Sequence, residues 1–258
     1  MAQAKKKVLI TGLSGLIGGA AYKELADTYD VSGLNRSEVA GIPCHRADIA
    51  DLDAIRPAFE GVDTVVHLAA YAHLTTDWDT IVNANITGTY NVFEAAREAG
   101  VKRVVYASTG ATTSSYEFDE PHSGLVDGRY TDEALDSVSW PMITHESAVR
   151  PNGLYGASKV FGEALARHYA DTTDMSMICL RIGRVNEEDR PVNNRDMSVW
   201  CSQADIVRMI ALSVAAPDDL KFDIFYVVSD NKRNYRDLSH AREVLGFVPQ
   251  DSADRVSQ

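Results

Sequence analysis

The chain has 258 residues with 45% apolar and 24% charged side chains, enough for one large α/β domain with a filled core. Its formal net charge of −12 argues against a general affinity for nucleic acid or an anionic membrane, so any anionic ligand needs a local basic site. Cys44, Cys179 and Cys201 are far apart and odd in number, which gives neither a disulfide framework nor metal-ligand spacing; no metal is expected.

The short basic start Met1 to Lys7 runs directly into an apolar strand, Val8-Leu9-Ile10, with no apolar leader and no bilayer-spanning run along the chain. The expected location is therefore cytoplasmic. Helical spacing follows from Leu16 to Ala26, then strands at Val31 to Leu34 and Pro43 to Ala47. A helix is predicted over Asp51 to Phe59 and a fourth strand over Thr64 to Leu68. A long amphipathic helix from Trp78 to Ala99 ends at Gly100. A fifth strand covers Arg103 to Ala107, a helix Leu154 to Tyr169, and a sixth strand Met175 to Leu180. A helix (Ala204 to Ala215), a strand (Ile224 to Val228) and a closing helix (Asp237 to Leu245) complete the pattern. This alternation predicts a Rossmann-type, doubly wound parallel sheet with a small C-terminal substrate-binding portion. Two stretches break it: Ser114 to Val149, long and polar, and Gly183 to Asp196, which carries Arg184, Arg190 and Arg195. Loops of that length are usually functional. The chain is read as one NAD(P)-binding domain over 1–258, with substrate-binding elements mainly in 110–150 and 183–258.

The first chemical motif is Thr11-Gly12-Leu13-Ser14-Gly15-Leu16-Ile17-Gly18, between a strand and a helix as a dinucleotide fingerprint requires. Gly12 permits the sharp turn, Gly15 the approach of a pyrophosphate, and Gly18 close packing of helix on strand. The helix start then offers N–H groups and a positive dipole end to phosphate. The second strand ends in Asn35-Arg36, where an acidic residue would favour NAD. A guanidinium suits a 2′-phosphate, so the reading is NAD or NADP, with Arg36 tilting it towards NADP. The second motif is Tyr155-Gly156-Ala157-Ser158-Lys159, whose four-residue spacing puts phenol and ammonium on one helix face. A phenol with a pKa near ~10 is a poor base, and a neighbouring cation favours its ionised form. The hydroxyls of Ser108 and Thr109 end the fifth strand, where one can hold a substrate oxygen.

Other features have structural readings. His67 packs at a strand end. Tyr90, Phe93 and Ala96 have helical spacing and belong to the core. Ser202-Gln203-Ala204-Asp205 resembles a capping box. Asp119, Glu120, Asp132 and Glu133 form a solvated loop face.

Taken in order, these residues resemble the extended short-chain dehydrogenase/reductases, the NAD-dependent epimerase/dehydratase family. Asp48-Ile49, His67-Leu68-Ala69-Ala70, Asn85 and Arg181-Ile182-Gly183 extend the likeness over nearly the whole chain. Within the family, the uronate dehydrogenase-like members are the most similar, through Ala84 to Asn91, Ser198 to Cys201 and Leu245 to Asp251. The resemblance implies that Thr109, Tyr155 and Lys159 form a catalytic triad, with Ser108 as the alternative hydroxyl. It implies cofactor contacts from Gly12, Ser14, Gly15, Leu16, Ile17, Gly18, Asn35, Arg36, Asp48, Ile49, Leu68, Ala69, Ala70, Asn85, Tyr155, Lys159 and Ile182, with Asn85 acting through its helix backbone. Substrate contacts implied are Ala72, Ser108, Thr109, Gly110, Tyr155, Arg184 and Arg195, the last holding a sugar carboxylate. Gly110 and Ala111 stand where the uronate enzymes carry Asn and His, while Ala72 and Arg184 replace serines, so the particular sugar does not carry over. The partners implied are a small-molecule substrate and a second copy of the chain, paired through the helices at 78–99 and 154–169. The expected activity is hydride transfer at a hydroxyl or carbonyl of a sugar, sugar acid or related polyol. Two alternatives stand beside it: an epimerase or dehydratase that retains its cofactor, and a non-catalytic NAD(P)-binding regulatory protein.

Overall fold

The computed structural model describes residues 5–72, 77–137 and 139–256, apart from the side chain of Asp132, so that member of the predicted acidic loop face lies outside the described set. Seven parallel strands form one sheet: β1 (Lys7–Thr11), β2 (Asp30–Asn35), β3 (Cys44–Arg46), β4 (Thr64–His67), β5 (Arg103–Thr109), β6 (Ser176–Ile182) and β7 (Phe222–Val227). Their order is β3-β2-β1-β4-β5-β6-β7. The chain winds one way from β1 and then returns to wind the other, and the reversal lies between β1 and β4. A crevice at the carboxyl ends of these strands is where such sheets bind ligands.

The helices are α1 (Leu16–Leu25), α2 (Leu52–Ile55), α3 (Trp78–Ile81), α4 (Gly88–Ala99), α5 (His122–Val126), α6 (Asp132–Leu135), α7 (Gly153–Thr172), α8 (Asp196–Val199), α9 (Gln203–Val214), α10 (Ser239–Leu245) and α11 (Ala253–Val256). One buried apolar layer joins Val8, Ile10, Val66, Val105 and Leu180 of the sheet to Ile206 and Ile210 of α9. The other joins Leu9, Val65, Val104 and Met177 to Phe93 of α4 and Ala166 and Tyr169 of α7. Strand residues alternate between these layers, as burial on both faces demands.

Three departures from the sequence reading have physical causes. The helix expected over Trp78 to Ala99 is interrupted by a π-helical turn, Val82–Thr87. That turn buries Asn85, which accepts from the Tyr71 N–H at 2.7 Å and donates to Tyr71 O at 3.1 Å and Ser158 Oγ at 3.0 Å. The Asn85 side chain thus ties the segment after β4 to α7. Tyr90 is 45% exposed, whereas Phe93 and Ala96 are fully buried. Steps of three fall short of a 3.6-residue turn, so successive members drift around the helix and Tyr90 leaves the buried stripe. At α9, Ser202 Oγ does accept from Asp205 N–H at 2.9 Å, but Asp205 turns inward instead of reaching back. It accepts from Ser229 Oγ at 2.7 Å and the Gln250 N–H at 2.8 Å.

The stretch 114–149 is not structureless. It contains a 3₁₀ turn (Ser114–Phe118), α5 and α6. Its Leu125, Val126, Leu135 and Ile143 share a small core with Val199, Tyr226 and Tyr235 of the C-terminal part. Ile143 pairs with Arg236 in an isolated parallel bridge. The stretch 114–149 thus packs on the C-terminal part, and it also meets the 183–196 stretch through Asn194 Nδ2 to Asp127 O and Arg195 to Glu117. Asp119 pairs with Arg150 at 2.5 Å and Glu120 with Arg129 at 2.6 Å.

Candidate active site

The glycine motif occupies the turn between β1 and α1. Gly12 has φ +72°, and a Cβ there would sit 2.8 Å from the Ala69 backbone nitrogen, so this turn excludes a side chain. A Cβ at Gly18 would lie 2.5 Å from the Gly12 oxygen. The N-terminus of α1 begins at Gly15 with no side-chain cap, leaving first-turn N–H groups for an anionic ligand. Neighbouring strand ends are tied to this loop. Gly12 N–H donates to Leu34 O at 3.0 Å, Leu68 N–H to Thr11 O at 3.2 Å, and Ala69 N–H to Thr11 Oγ1 at 3.2 Å. Ser14 Oγ donates to Asn35 Oδ1 at 3.1 Å, joining the loop to the end of β2. A pyrophosphate fits this cradle: no Cβ fills it, and no side chain caps the helix start.

Beyond β2, an open cleft is lined by Arg36, Arg46, Ala47 and Asp48. Arg46 stands opposite Asn35 in the β2–β3 register. The sequence reading did not include Arg46, because pairing between two short strands is not visible from local spacing. Asp48 accepts from Ala50 N–H at 2.9 Å, and the backbone oxygen of buried Ile49 accepts from Asn91 Nδ2 at 2.8 Å. Leu16, Ile17, Leu68, Ala69 and Ala70 line the switch region without being sealed in the core. Ala72 is exposed and Ile182 is buried at the end of β6.

Thr109, Tyr155 and Lys159 come together between β5 and α7. The Thr109 hydroxyl faces the Tyr155 phenol and favours its ionised form. Lys159, 1% exposed, donates from Nζ to Ala107 O at 2.7 Å. Its ammonium stands 4.8 Å from the Tyr106 ring centroid and 5.9 Å from that of Tyr155. Burial lowers the Lys159 amine to about 7, against the partial compensation of Glu163 and Cys179. Burial raises the Tyr155 phenol to about 12, opposed by the Thr109 hydroxyl. The expected help to the phenolate comes from the lysine together with the positive nicotinamide ring, and burial of the phenol opposes it.

Ser108 does not share this position. Strand alternation turns it away, and its Oγ donates to Glu163 Oε1 at 2.5 Å. Glu163 also takes a bidentate pair from Arg181 at 2.9 and 2.8 Å, both residues buried. Arg181 Nη1 reaches Tyr226 Oη at 3.3 Å, and Tyr226 Oη lies 2.8 Å from Thr113 Oγ1. This chain braces α7 against β5, β6 and β7 just below the tyrosine. His67 is fully buried and held neutral, its pKa lowered to about 3 by burial and by Lys159. Its Nδ1 lies 2.7 Å from Thr11 Oγ1, which supports the packing role.

The expected arginines fare differently. Arg184 is exposed, and its backbone bridges to Trp200. Arg195 is engaged: its Nε and Nη2 donate to Glu117 at 2.5 and 2.8 Å. Burial pushes Glu117 up, but the Arg195 bonds and the charge of Arg236 outweigh it and hold the carboxylate low. Nothing in local spacing pairs Glu117 with Arg195, 78 positions later, so the sequence reading offered Arg195 as a free donor.

The NAD dependent epimerase/dehydratase family matches residues 8–244, and the chain belongs to that family. It is 33% identical to an NAD-dependent glucose-6-phosphate dehydrogenase of Haloferax volcanii over 256 residues, 95% of this chain and 94% of that one. It is 34% identical to the L-arabinose 1-dehydrogenase (NAD(P)(+)) of the same organism, covering 97% of this chain and 98% of the relative. The crystal structure of uronate dehydrogenase from Agrobacterium tumefaciens superposes with a TM-score of 0.81 at 31% identity, over 99% of this chain and 88% of that one.

The buried lysine makes a signed prediction. Its proton affinity falls from near 10.5 to about 7 on folding, so the unfolded chain binds that proton more tightly. The cost is complete below pH 7 and fades as pH rises towards 10.5. Lys159→Met should therefore melt higher than the parent, by ~3 °C or more at pH 6, with the gap closing by pH 10. Calorimetry across that range checks it; a gap independent of pH contradicts it.

Proposed function

We propose that this protein is an NAD(P)-dependent dehydrogenase that transfers hydride between the dinucleotide and a hydroxyl or carbonyl carbon of a sugar, sugar acid or related polyol. The observation that carries the reading is the convergence of Thr109, Tyr155 and Lys159 at the end of β5, beside the switch-point crevice. Relatives that span nearly the whole chain are dehydrogenases of a sugar phosphate, a pentose and uronates, which supports the same chemistry.

Gly12, Gly15 and Gly18 and the N-terminus of α1 would hold the pyrophosphate. Asp48 and Ile49 lie where adenine would rest, and Lys159 where it can reach the ribose. When bound, the oxidised dinucleotide supplies a hydride acceptor and a positively charged ring that favours the phenolate. The chain's own groups do the rest. Thr109 Oγ1 holds the substrate oxygen, and Tyr155 Oη takes the hydroxyl proton on oxidation and returns it on reduction. Lys159 stays fixed on Ala107 O and keeps α7 at the depth that lets the two hydroxyls meet. Asn85, through Ser158 and the Tyr71 backbone, anchors the turn after β4. Substrate-binding elements are assigned to 110–150 and 183–258, because these stretches share the small core beside Thr109.

Arg36 and Arg46 flank the cleft at the ends of β2 and β3, which supports a preference for the 2′-phosphate of NADP. The proposed assembly is a homodimer through α4 and α7, in the cytoplasm. Exposed Trp78, Tyr90 and Phe161 on these helices and the turn before them support it. Among the described residues, no helix is long and apolar enough to cross a membrane.

Steady-state assays with a panel of sugars, sugar acids and sugar phosphates test the reading. Tyr155→Phe should lower kcat ~10³-fold with little change in cofactor affinity. Unchanged turnover would remove the phenol from the mechanism, and retained cofactor without net reduction would favour an epimerase. Arg36→Ala with Arg46→Ala should weaken NADP binding ~10-fold or more while leaving NAD binding nearly unaltered; equal effects on both would refute the phosphate assignment. Tyr90→Glu should shift the sedimenting species from dimer to monomer, and an unchanged species would place the interface elsewhere.

A further inference from the structure

Arg236 is 1% exposed, yet among the described residues its Nε and Nη1 have no hydrogen-bond partner. Its remaining nitrogen, Nη2, is only weakly satisfied, at 3.4 Å from Tyr235 Oη and 3.9 Å from Glu117 Oε1. The guanidinium stands over the Tyr226 and Tyr235 rings, 5.9 and 5.4 Å from their centroids. Glu117 cannot complete it. That carboxylate already accepts two bonds from Arg195 and one from Tyr235 Oη at 2.5 Å. Two guanidiniums therefore share one carboxylate, and the group keeps a net positive charge.

Burying donors on a cation without partners is costly, and such donors are completed by water or by a ligand. The place of this cation selects the ligand. A Cβ on Gly110 would lie 2.3 Å from Arg236 Cζ and 2.4 Å from both Nη atoms, so the guanidinium rests on the bare backbone of residue 110. Gly110 directly follows Thr109, whose hydroxyl faces Tyr155. Any side chain at 110 would push the cation away from the end of β5.

We infer that Arg236, admitted by Gly110, is an oxyanion subsite of the substrate cleft, and that the substrate is an anionic sugar carrying a phosphate monoester or a carboxylate away from the carbon that is oxidised. This rests on the dehydrogenase reading and names the substrate class within it. Nε and Nη1 point in different directions, and a donor on a cation bonds most strongly to an anionic oxygen, so an oxyanion is the acceptor that best completes either of them. Arg195, held by Glu117, shapes the subsite instead of grasping the anion itself.

The test has an activity arm and a binding arm. In the first, kcat/KM is measured for glucose, glucuronate and glucose 6-phosphate with the parent, Arg236→Gln and Gly110→Ala. The parent should prefer one of the two anionic sugars, and which one distinguishes carboxylate from phosphate. In Arg236→Gln the ratio of anionic to neutral kcat/KM should fall ~100-fold, mainly through KM. Gly110→Ala keeps the charge but displaces it, and should lose the same preference even where Arg236→Gln does not fold. In the second arm, with saturating NADP filling the pyrophosphate cradle and the Arg36/Arg46 cleft, inorganic phosphate should raise the Tm of the parent by ~2 °C or more and leave both variants unmoved. An unchanged ratio in the variants, or a phosphate shift that is absent in the parent or equal in all three, overturns the subsite. If no sugar is oxidised but the phosphate shift depends on Arg236, the dehydrogenase reading fails while the subsite stands.

Discussion

An ammonium group sealed from water against a single carbonyl governs this molecule. Lys159 Nζ on Ala107 O sets the depth and rotation of α7 on β5. That fixes Tyr155, one helical turn earlier, against Thr109 at the strand end. The arrangement is costly, since burial strips the amine of much of its proton affinity. The protein offsets the cost nearby with a fully engaged ion pair, Glu163 with Arg181, bonded in turn to Ser108, Tyr226 and Thr113. Rigid support of this kind is what a proton-transfer site needs, because its groups act only within hydrogen-bond reach.

The same helix explains how the two halves of the reaction meet. In the proposed reaction the glycine turn and the switch between β1 and β4 would hold the dinucleotide, and β5 carries Thr109 to their edge. Asn85 links the halves: its side chain joins the segment after β4 to Ser158 of α7. A π-helical turn delivers that amide where a regular helix would aim it elsewhere. On the far side, the 114–149 stretch and the C-terminal segment share a small core next to the end of β5, with Glu117 between Arg195 and Arg236.

Much of this was legible in the residue order. Strands buried on both faces read as apolar runs, Gly12 to Gly18 carries its own geometry, and Tyr155 with Lys159 needs only the period of a helix. The parallel sheet and family membership follow from those local signals in sequence. What escaped were relations between distant segments. Arg195 looked free because its partner Glu117 is 78 positions away. Arg46 becomes relevant only through the β2–β3 register, and Arg236 only because Gly110 leaves room for it. Choosing Thr109 over Ser108 required knowing that β5 runs through both, so that alternation separates them. The burial that raises the Tyr155 phenol was likewise not legible, since burial is a property of the fold rather than of spacing.

The most direct measurement is a crystal structure of the ternary complex with dinucleotide and a substrate that the enzyme turns over. The account predicts that the reacting oxygen lies within hydrogen-bond reach, ~2.6–3.2 Å, of both Tyr155 Oη and Thr109 Oγ1, with its carbon facing the nicotinamide. A complex in which a different side chain holds that oxygen, with Tyr155 remote from it and from the ring, would contradict the account.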